Sequence, residues 1–283
     1  MSDAWGSSVL VTGATGKTGS LVAAGLRARG VSVRTASRVG SAVRFDWEDP
    51  GSWDAAVVGV RAAYLVTPMD PRFPAAAVAG FVERAVAAGV RQLVLLSGLS
   101  AGYGSVPMLS REEPVRASGV AWTVLRPGAF QQNFGGPPYV EAFRGGELRL
   151  PVGAGPGPYS AYVDVVDVAG VAVEVLAAGG GHAGRVYELS GPRAWSFAEV
   201  VELVGEKLGR PVRFVAEPVE EWRERVRGGG AAEEAVAWSL ETFEALGRGE
   251  YAGVHRGVRE VLGREPWGLE RYVGEGVRAG VWG

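Results

Sequence analysis

The chain has 283 residues, 47% hydrophobic and 21% charged, with 29 basic side chains against 31 acidic ones. A chain this long buries roughly three quarters of its unfolded surface without covalent staples, and the absence of cysteine excludes disulfides, thiolate zinc sites and thiol catalysis. A net charge of -2 and only two histidines, His182 and His255, argue against a nucleic-acid surface, an anionic-membrane surface and a His-rich metal site.

Strand and helix signals alternate through the first two thirds. Residues 8–12 form a β-rich run ending in a glycine cluster, and 21–29 have helical spacing up to Gly30. A second strand is expected at 31–35 and a short helix at 52–58, with Ser52 as its N-cap. Residues 63–67 form a strand stopped by Pro68, and 74–88 a helix ended by Gly89. The nearly all-apolar run at 92–97 suits a strand covered on both faces. A helix at 111–118 and a strand at 121–125 complete the pattern. Repeated β-α units imply an α/β fold, a doubly wound parallel Rossmann sheet.

From about Gly135 the pattern loosens, with glycine-proline loops at 135–138 and 153–158. A helix is expected at 164–176 and a strand at 186–189. Ser196 and Glu199 have capping-box spacing for a helix to Leu208. A short strand at 212–215 and helices near 220–227, 231–246 and 254–262 follow. The expected division is a Rossmann domain over 1–134. A smaller substrate-binding lobe covers 135–283, with some segments returning to the sheet. Trp195, Trp222, Trp238 and Trp267 in that lobe are either lid or core residues.

The strongest motif follows the first strand. Gly13, Ala14, Thr15, Gly16, Lys17, Thr18 and Gly19 fit a G-x-x-G-x-x-G variant of the dinucleotide fingerprint. Gly13 permits the turn, Gly16 the approach of a pyrophosphate, and Gly19 close packing of the helix. A P-loop is excluded, because its first glycine would fall on Val11. The second strand ends at Ser37 and Arg38, where an acidic residue would favour NAD. A hydroxyl and a guanidinium there suit a 2′-phosphate, so NADPH is expected, with NADH weaker. Asp46 and Trp47 sit where a third strand ends. They either meet the adenine or serve as a capping acid and a packed ring. Met69 and Phe73 lie in a loop able to cover the nicotinamide.

These motifs, with Tyr64 to Pro68, Leu95 to Ser97, Leu125 to Pro127, Phe130, Asn133 and Phe134, resemble the NmrA-like atypical short-chain dehydrogenases. Phe45 to Pro50 and Trp53 to Ala56 are similar to the branch of ergot-alkaloid reductases and their bacterial relatives. The resemblance implies that Leu65, Thr67 and Pro68 edge the cofactor and that Ser97 lies beside the nicotinamide. It also implies that Pro127, Gly128 and Phe130 line the far side. Gly128 and Ala129 replace bulkier residues of that branch, which suggests a roomier pocket.

The usual Tyr-x-x-x-Lys dyad is missing, since Ser110 and Pro114 stand at that spacing. Three readings follow. An iminium substrate needs no proton donor. A ketone takes its proton from Ser97 through water, from Tyr103, from Tyr139 or from the substrate. Or the domain is a non-catalytic NADP(H) sensor acting through a protein partner. The expected function is an NADPH-dependent reductase of a bulky small molecule, in secondary-metabolite (antibiotic) biosynthesis. Met69, Phe130, Phe134 and Tyr139 are the expected substrate contacts. The paired acids Glu112-Glu113 and Glu220-Glu221 read as solvated helix faces. No nucleic acid, membrane or metal is expected; the chain is read as a cytoplasmic monomer or homodimer.

Overall fold

The computed structural model describes residues 8–68, 70, 72–152 and 159–283; Met69 and the loop at 153–158 lie outside the described residues. In chain order the elements begin β1 (Ser8–Thr12), α1 (Gly19–Ala28), β2 (Val33–Ser37), β3 (Val43–Arg44), α2 (Trp53–Val57), β4 (Val60–Val66), α3 (Ala75–Ala87), β5 (Gln92–Leu96), α4 (Val106–Arg116) and β6 (Ala121–Pro127). They continue α5 (Tyr139–Gly145), β7 (Glu147–Leu150), α6 (Val165–Ala177), β8 (Arg185–Leu189), α7 (Phe197–Leu208), β9 (Arg213–Ala216), α8 (Val219–Gly228), α9 (Glu233–Gly247), α10 (Gly257–Leu262) and α11 (Leu269–Arg278).

The chain divides into two compact units, one of residues 1–127, 165–189 and 256–264, the other of 128–164, 190–255 and 265–283. The first unit is a seven-stranded parallel sheet ordered β3-β2-β1-β4-β5-β6-β8. α1, α6 and α10 pack together, as do α2, α3 and α4, the arrangement of a doubly wound sheet. β5 is apolar because it is central; Leu93, Val94 and Leu95 are all fully buried. Beside it, Phe45, Trp47 and Phe81 meet edge to face at 5.1–5.2 Å.

The second unit pairs β7 with β9 in parallel and buries Phe134, Phe143, Phe197, Val200 and Trp282. The Trp282 Nε1 donates to the Phe134 carbonyl at 2.8 Å, tying the end of the chain into this core. Ser196 and Glu199 form the expected reciprocal cap on α7.

Several local expectations are corrected. Ser52 does not cap α2; its hydroxyl donates back to the Asp49 carbonyl at 2.7 Å, while Asp49 itself caps the 3-10 turn Pro50–Ser52. α4 begins at Val106, five residues early, because Pro107 suits a first helical turn. Between β5 and α4 the chain forms a 3-10 turn, Leu99–Tyr103. His255 precedes α10 rather than lying in it. α5, β7 and α11 were not expected, although α11 spaces Leu269, Tyr272, Val273 and Val277 along one helical face.

Candidate active site

The glycine loop is set by backbone contact. Gly13 has φ 58°, the left-handed region, and a Cβ on Gly19 would lie 2.3 Å from the Gly13 carbonyl oxygen. No larger residue fits at position 19 unless the turn opens. Thr12 locks this turn to the sheet. Its Oγ1 donates to the Tyr64 carbonyl at 3.2 Å and accepts from the Val66 N–H at 2.8 Å. α1 then begins with no side-chain cap and no acid in its first turn. Its open N–H groups and positive end are suited to a pyrophosphate. Thr15, Gly16 and Lys17 are exposed on this loop, while Ala14 and Thr18 are buried beneath it.

At the end of β2 the two expected 2′-phosphate ligands differ. The Ser37 hydroxyl is taken up locally, within 2.6 Å of both the Val39 carbonyl and Ser41 Oγ. Arg38 is exposed and forms no ion pair with a described residue, so its guanidinium is open. Asp46 caps no helix; its contacts are local ones, and those of Trp47 lie within the first unit. Asp46 Oδ1 accepts from the Glu48 N–H at 3.1 Å. Trp47 is 7% exposed among aromatic rings, and its Nε1 donates to the Val66 carbonyl at 2.9 Å. Its face is turned inward, so its part at the site is to hold Val66.

β4 ends beside β1, in Thr67 and Pro68. Leu65 is fully buried in the core, leaving only backbone there for a ligand. The segment after Pro68 is held by a residue sequence reasoning passed over. Arg111, itself buried, donates to the carbonyls of Pro68 (2.8 Å) and Asp70 and lies over the Phe73 ring at 5.4 Å. Phe73 is thereby a core residue rather than a cover.

Ser97 follows β5 and is buried. Its hydroxyl donates to Glu112 Oε1 at 2.7 Å. Glu112 is 1% exposed and accepts two bonds from Arg126, each 2.8 Å, and one from Arg116 at 2.7 Å. This corrects the reading of Glu112 as a solvated residue; only Glu113 of that pair is exposed. Burial alone would raise the Glu112 pKa, but the bonds from Arg126, Ser97 and Arg116 outweigh it and hold the carboxyl below its ordinary value. Glu112 is therefore ionised, and Ser97 gives its only proton to it. Toward a ligand Ser97 is an acceptor, not a proton donor. A signal did exist: an arginine inside the apolar strand around Arg126 must find a carboxylate. Tyr103 ends the 3-10 turn, 47% exposed. Ser110 and Pro114 lie within α4.

In the second unit Gly128 is buried, and Phe130 bridges Val163 in parallel. Phe134 and Tyr139 come together, rings 5.1 Å apart, on the wall of a cavity of about 620 Å³. Tyr162, Phe197, Trp222 and Phe243 also line it. Sequence reasoning missed Tyr162, a tyrosine in a stretch without strong periodicity. Trp222 is buried in this wall, and the half-exposed Trp238 lies at the same cavity. Among the described residues no cluster of metal-ligating side chains occurs, and no helix is long and apolar enough to cross a membrane.

Comparison with known proteins agrees with this geometry. A family model described as NAD(P)H-binding matches residues 13–178. A (4-alkanoyl-5-oxo-2,5-dihydrofuran-3-yl)methyl phosphate reductase of Streptomyces griseus subsp. griseus is 35% identical over 277 residues, covering 90% of this chain and 93% of that protein. Agroclavine dehydrogenase of Claviceps fusiformis is 28% identical over 97% of this chain and 98% of its own length. The fold is that of Citrobacter sp. triphenylmethane reductase, solved with NADP(H), at a TM-score of 0.77 and 22% identity, covering 95% of this chain and 99% of that one. The glycine loop and sheet order thus agree with sequence and fold comparison, and the chain belongs to the NAD(P)H-binding family, as an NAD(P)H-dependent oxidoreductase.

Proposed function

We propose that this protein is an NADPH-dependent reductase that delivers hydride to the carbonyl carbon of a bulky small molecule, an iminium carbon being the alternative electrophile. The observation that carries the cofactor preference is Arg38, an open guanidinium beyond β2 where a ribose-binding carboxylate would otherwise stand. The observation that favours a bulky substrate is the aromatic cavity of about 620 Å³ in the second unit, a size suited to multi-ring ligands. The presence of a reductase from a Streptomyces and a clavine dehydrogenase among its relatives fits a place in secondary metabolism.

NADPH, when bound, supplies the hydride. The uncapped start of α1 and Gly16 would receive its pyrophosphate, and Arg38 would pair the 2′-phosphate. Ser97, oriented by Glu112, offers a lone pair at the carboxyl edge of the sheet. Because its proton is committed to Glu112, reduction of a ketone draws its proton from a phenol, Tyr103 or Tyr139, or from a substrate hydroxyl. Burial pushes the Tyr139 phenol up to about 12, so it stays protonated at neutral pH and able to donate. Purified protein should oxidise NADPH faster than NADH with bulky cyclic ketones. If a phenol donates, Tyr103→Phe or Tyr139→Phe should slow ketone turnover roughly 10-fold or more while sparing a preformed iminium. Tight NADPH binding with no turnover of either electrophile would contradict the proposal and favour the sensor reading.

A further inference from the structure

The order of the sheet sets how a dinucleotide lies over the first unit. β1 and its glycine loop stand between β2 on one side and β4, then β5, on the other. With the pyrophosphate at the start of α1 and the adenosine ribose beyond β2, the nicotinamide half crosses the carboxyl ends of β4 and β5. Two stretches of backbone stand there, one after β4 at Pro68 and Asp70, the other after β5 at Ser97. Adjacent residues of one helix, α4, hold both. Glu112 takes the proton of the Ser97 hydroxyl at 2.7 Å. Arg111 donates to the Pro68 carbonyl at 2.8 Å and to the Asp70 carbonyl. The near end of the β4 stretch is tied to the glycine loop, since a Cβ on Gly13 would lie 3.1 Å from the Val66 Cβ. Arg111 fixes its far end. Arg111 is 2% exposed, and its guanidinium forms no ion pair with a described residue. The carboxylate of Asp70 is bound to Arg72 instead, at 2.9 Å. A buried cation without a carboxylate is costly where packing alone is at stake. An apolar side chain would fill the space against the Phe73 ring, 5.4 Å away, without that cost. What it could not do is hold the two carbonyls.

We propose that Arg111 is a positioning residue for the nicotinamide half of the cofactor. Through the Pro68 and Asp70 carbonyls it sets the backbone over which that half lies, as Glu112 sets Ser97. It touches neither cofactor nor substrate. The proposal rests on NAD(P)H binding and on no choice of electrophile.

Isothermal titration calorimetry of the full chain with NADPH, NADH and 2′,5′-ADP separates positioning from general stability. The last probe carries the adenosine and the 2′-phosphate but no nicotinamide half. Arg111→Met keeps a stem against Phe73 and removes the donors. It should weaken NADPH roughly 10-fold and leave 2′,5′-ADP within about 2-fold of the parent. NADH, which shares the nicotinamide half, should weaken by a similar factor, in contrast to Arg38→Ala. Arg111→Lys keeps the charge but replaces the fork with a single ammonium, so NADPH should weaken only about 3-fold, a graded rescue. Should Arg111→Met fail to fold, Arg111→Lys carries the same comparison. Unchanged NADPH affinity in the folded variant, or a parallel loss of 2′,5′-ADP, overturns the proposal. These readings come from binding alone. A protein that binds NADPH yet reduces no electrophile would remove the reductase reading and leave Arg111 judged by the titrations.

Discussion

Arg38 and Glu112 show how differently two charged side chains serve one site. Arg38 is exposed and pairs with no described residue, so its value appears only when a phosphate arrives. Arg38→Ala should weaken NADPH roughly 10–100-fold, the worth of one or two charge-assisted bonds, and change NADH little; parallel titrations check this. Equal loss for both cofactors would remove the 2′-phosphate role. Glu112 is buried, and its carboxylate joins α4 to β6 through Arg126 and to Ser97. Glu112→Gln leaves the arginines uncompensated. It should cost about 3 kcal/mol, at the lower end for a buried pair because the Arg116 side chain is 38% exposed. The pH dependence follows from the depressed carboxyl. Its stabilisation is complete above the ordinary carboxylate range and is lost as pH falls through the lowered value. Thermal melts from neutral pH down to about 3 should therefore lose Tm less steeply for Glu112→Gln than for the parent. At this scale the place of Arg38, exposed just after the second strand, was legible in the sequence because it depends only on where that strand ends. Glu112 was not, because two adjacent acids on a polar helix look solvated until the strand carrying Arg126 is seen beside them.

At the scale of elements, the glycine loop and the cap on α7 were both readable, since each depends on residues within a few positions. Gly19→Ala would press a methyl onto the Gly13 carbonyl. It should cost about 1–3 kcal/mol and weaken NADPH binding, measurable in one series of melts and titrations. Ser196→Ala breaks the capping box, in which the Ser196 hydroxyl accepts from the Glu199 N–H at 3.1 Å. It should cost about 1 kcal/mol and leave NADPH affinity unchanged. α5, β7 and α11 escaped detection for a physical reason. β7 has four residues and pairs with β9, more than sixty positions later in the chain. α11 carries four charged residues in ten and closes its buried face, Leu269, Val273 and Gly276, with a glycine against Trp282, so its apolar stripe is short. Trp47 and Phe73 were ambiguous because a ring beside a ligand site and a ring in the core have the same sequence signature.

For the whole molecule, the α/β alternation and the parallel order of the sheet were legible because each strand-helix unit carries its own punctuation. The assignment of segments to units was less so. Residues 165–189 and 256–264 return to the sheet unit after the chain has left it. Such returns are fixed by long-range packing, as where a Cβ on Gly257 would lie 2.5 Å from the Glu188 carbonyl oxygen. The cavity in the second unit is built from residues more than a hundred positions apart, Phe134 and Phe243 among them, and local pattern cannot foresee it. The proposed activity moves hydride from NADPH to a carbonyl carbon. The most direct measurement uses NADPH deuterated at the transferable position of its nicotinamide, with a bulky ketone, followed by mass spectrometry of the product. One deuterium on the new carbinol carbon, matched by one NADP⁺ formed, is the predicted result; deuterated NADPH recovered intact from protein that binds it tightly would contradict the claim.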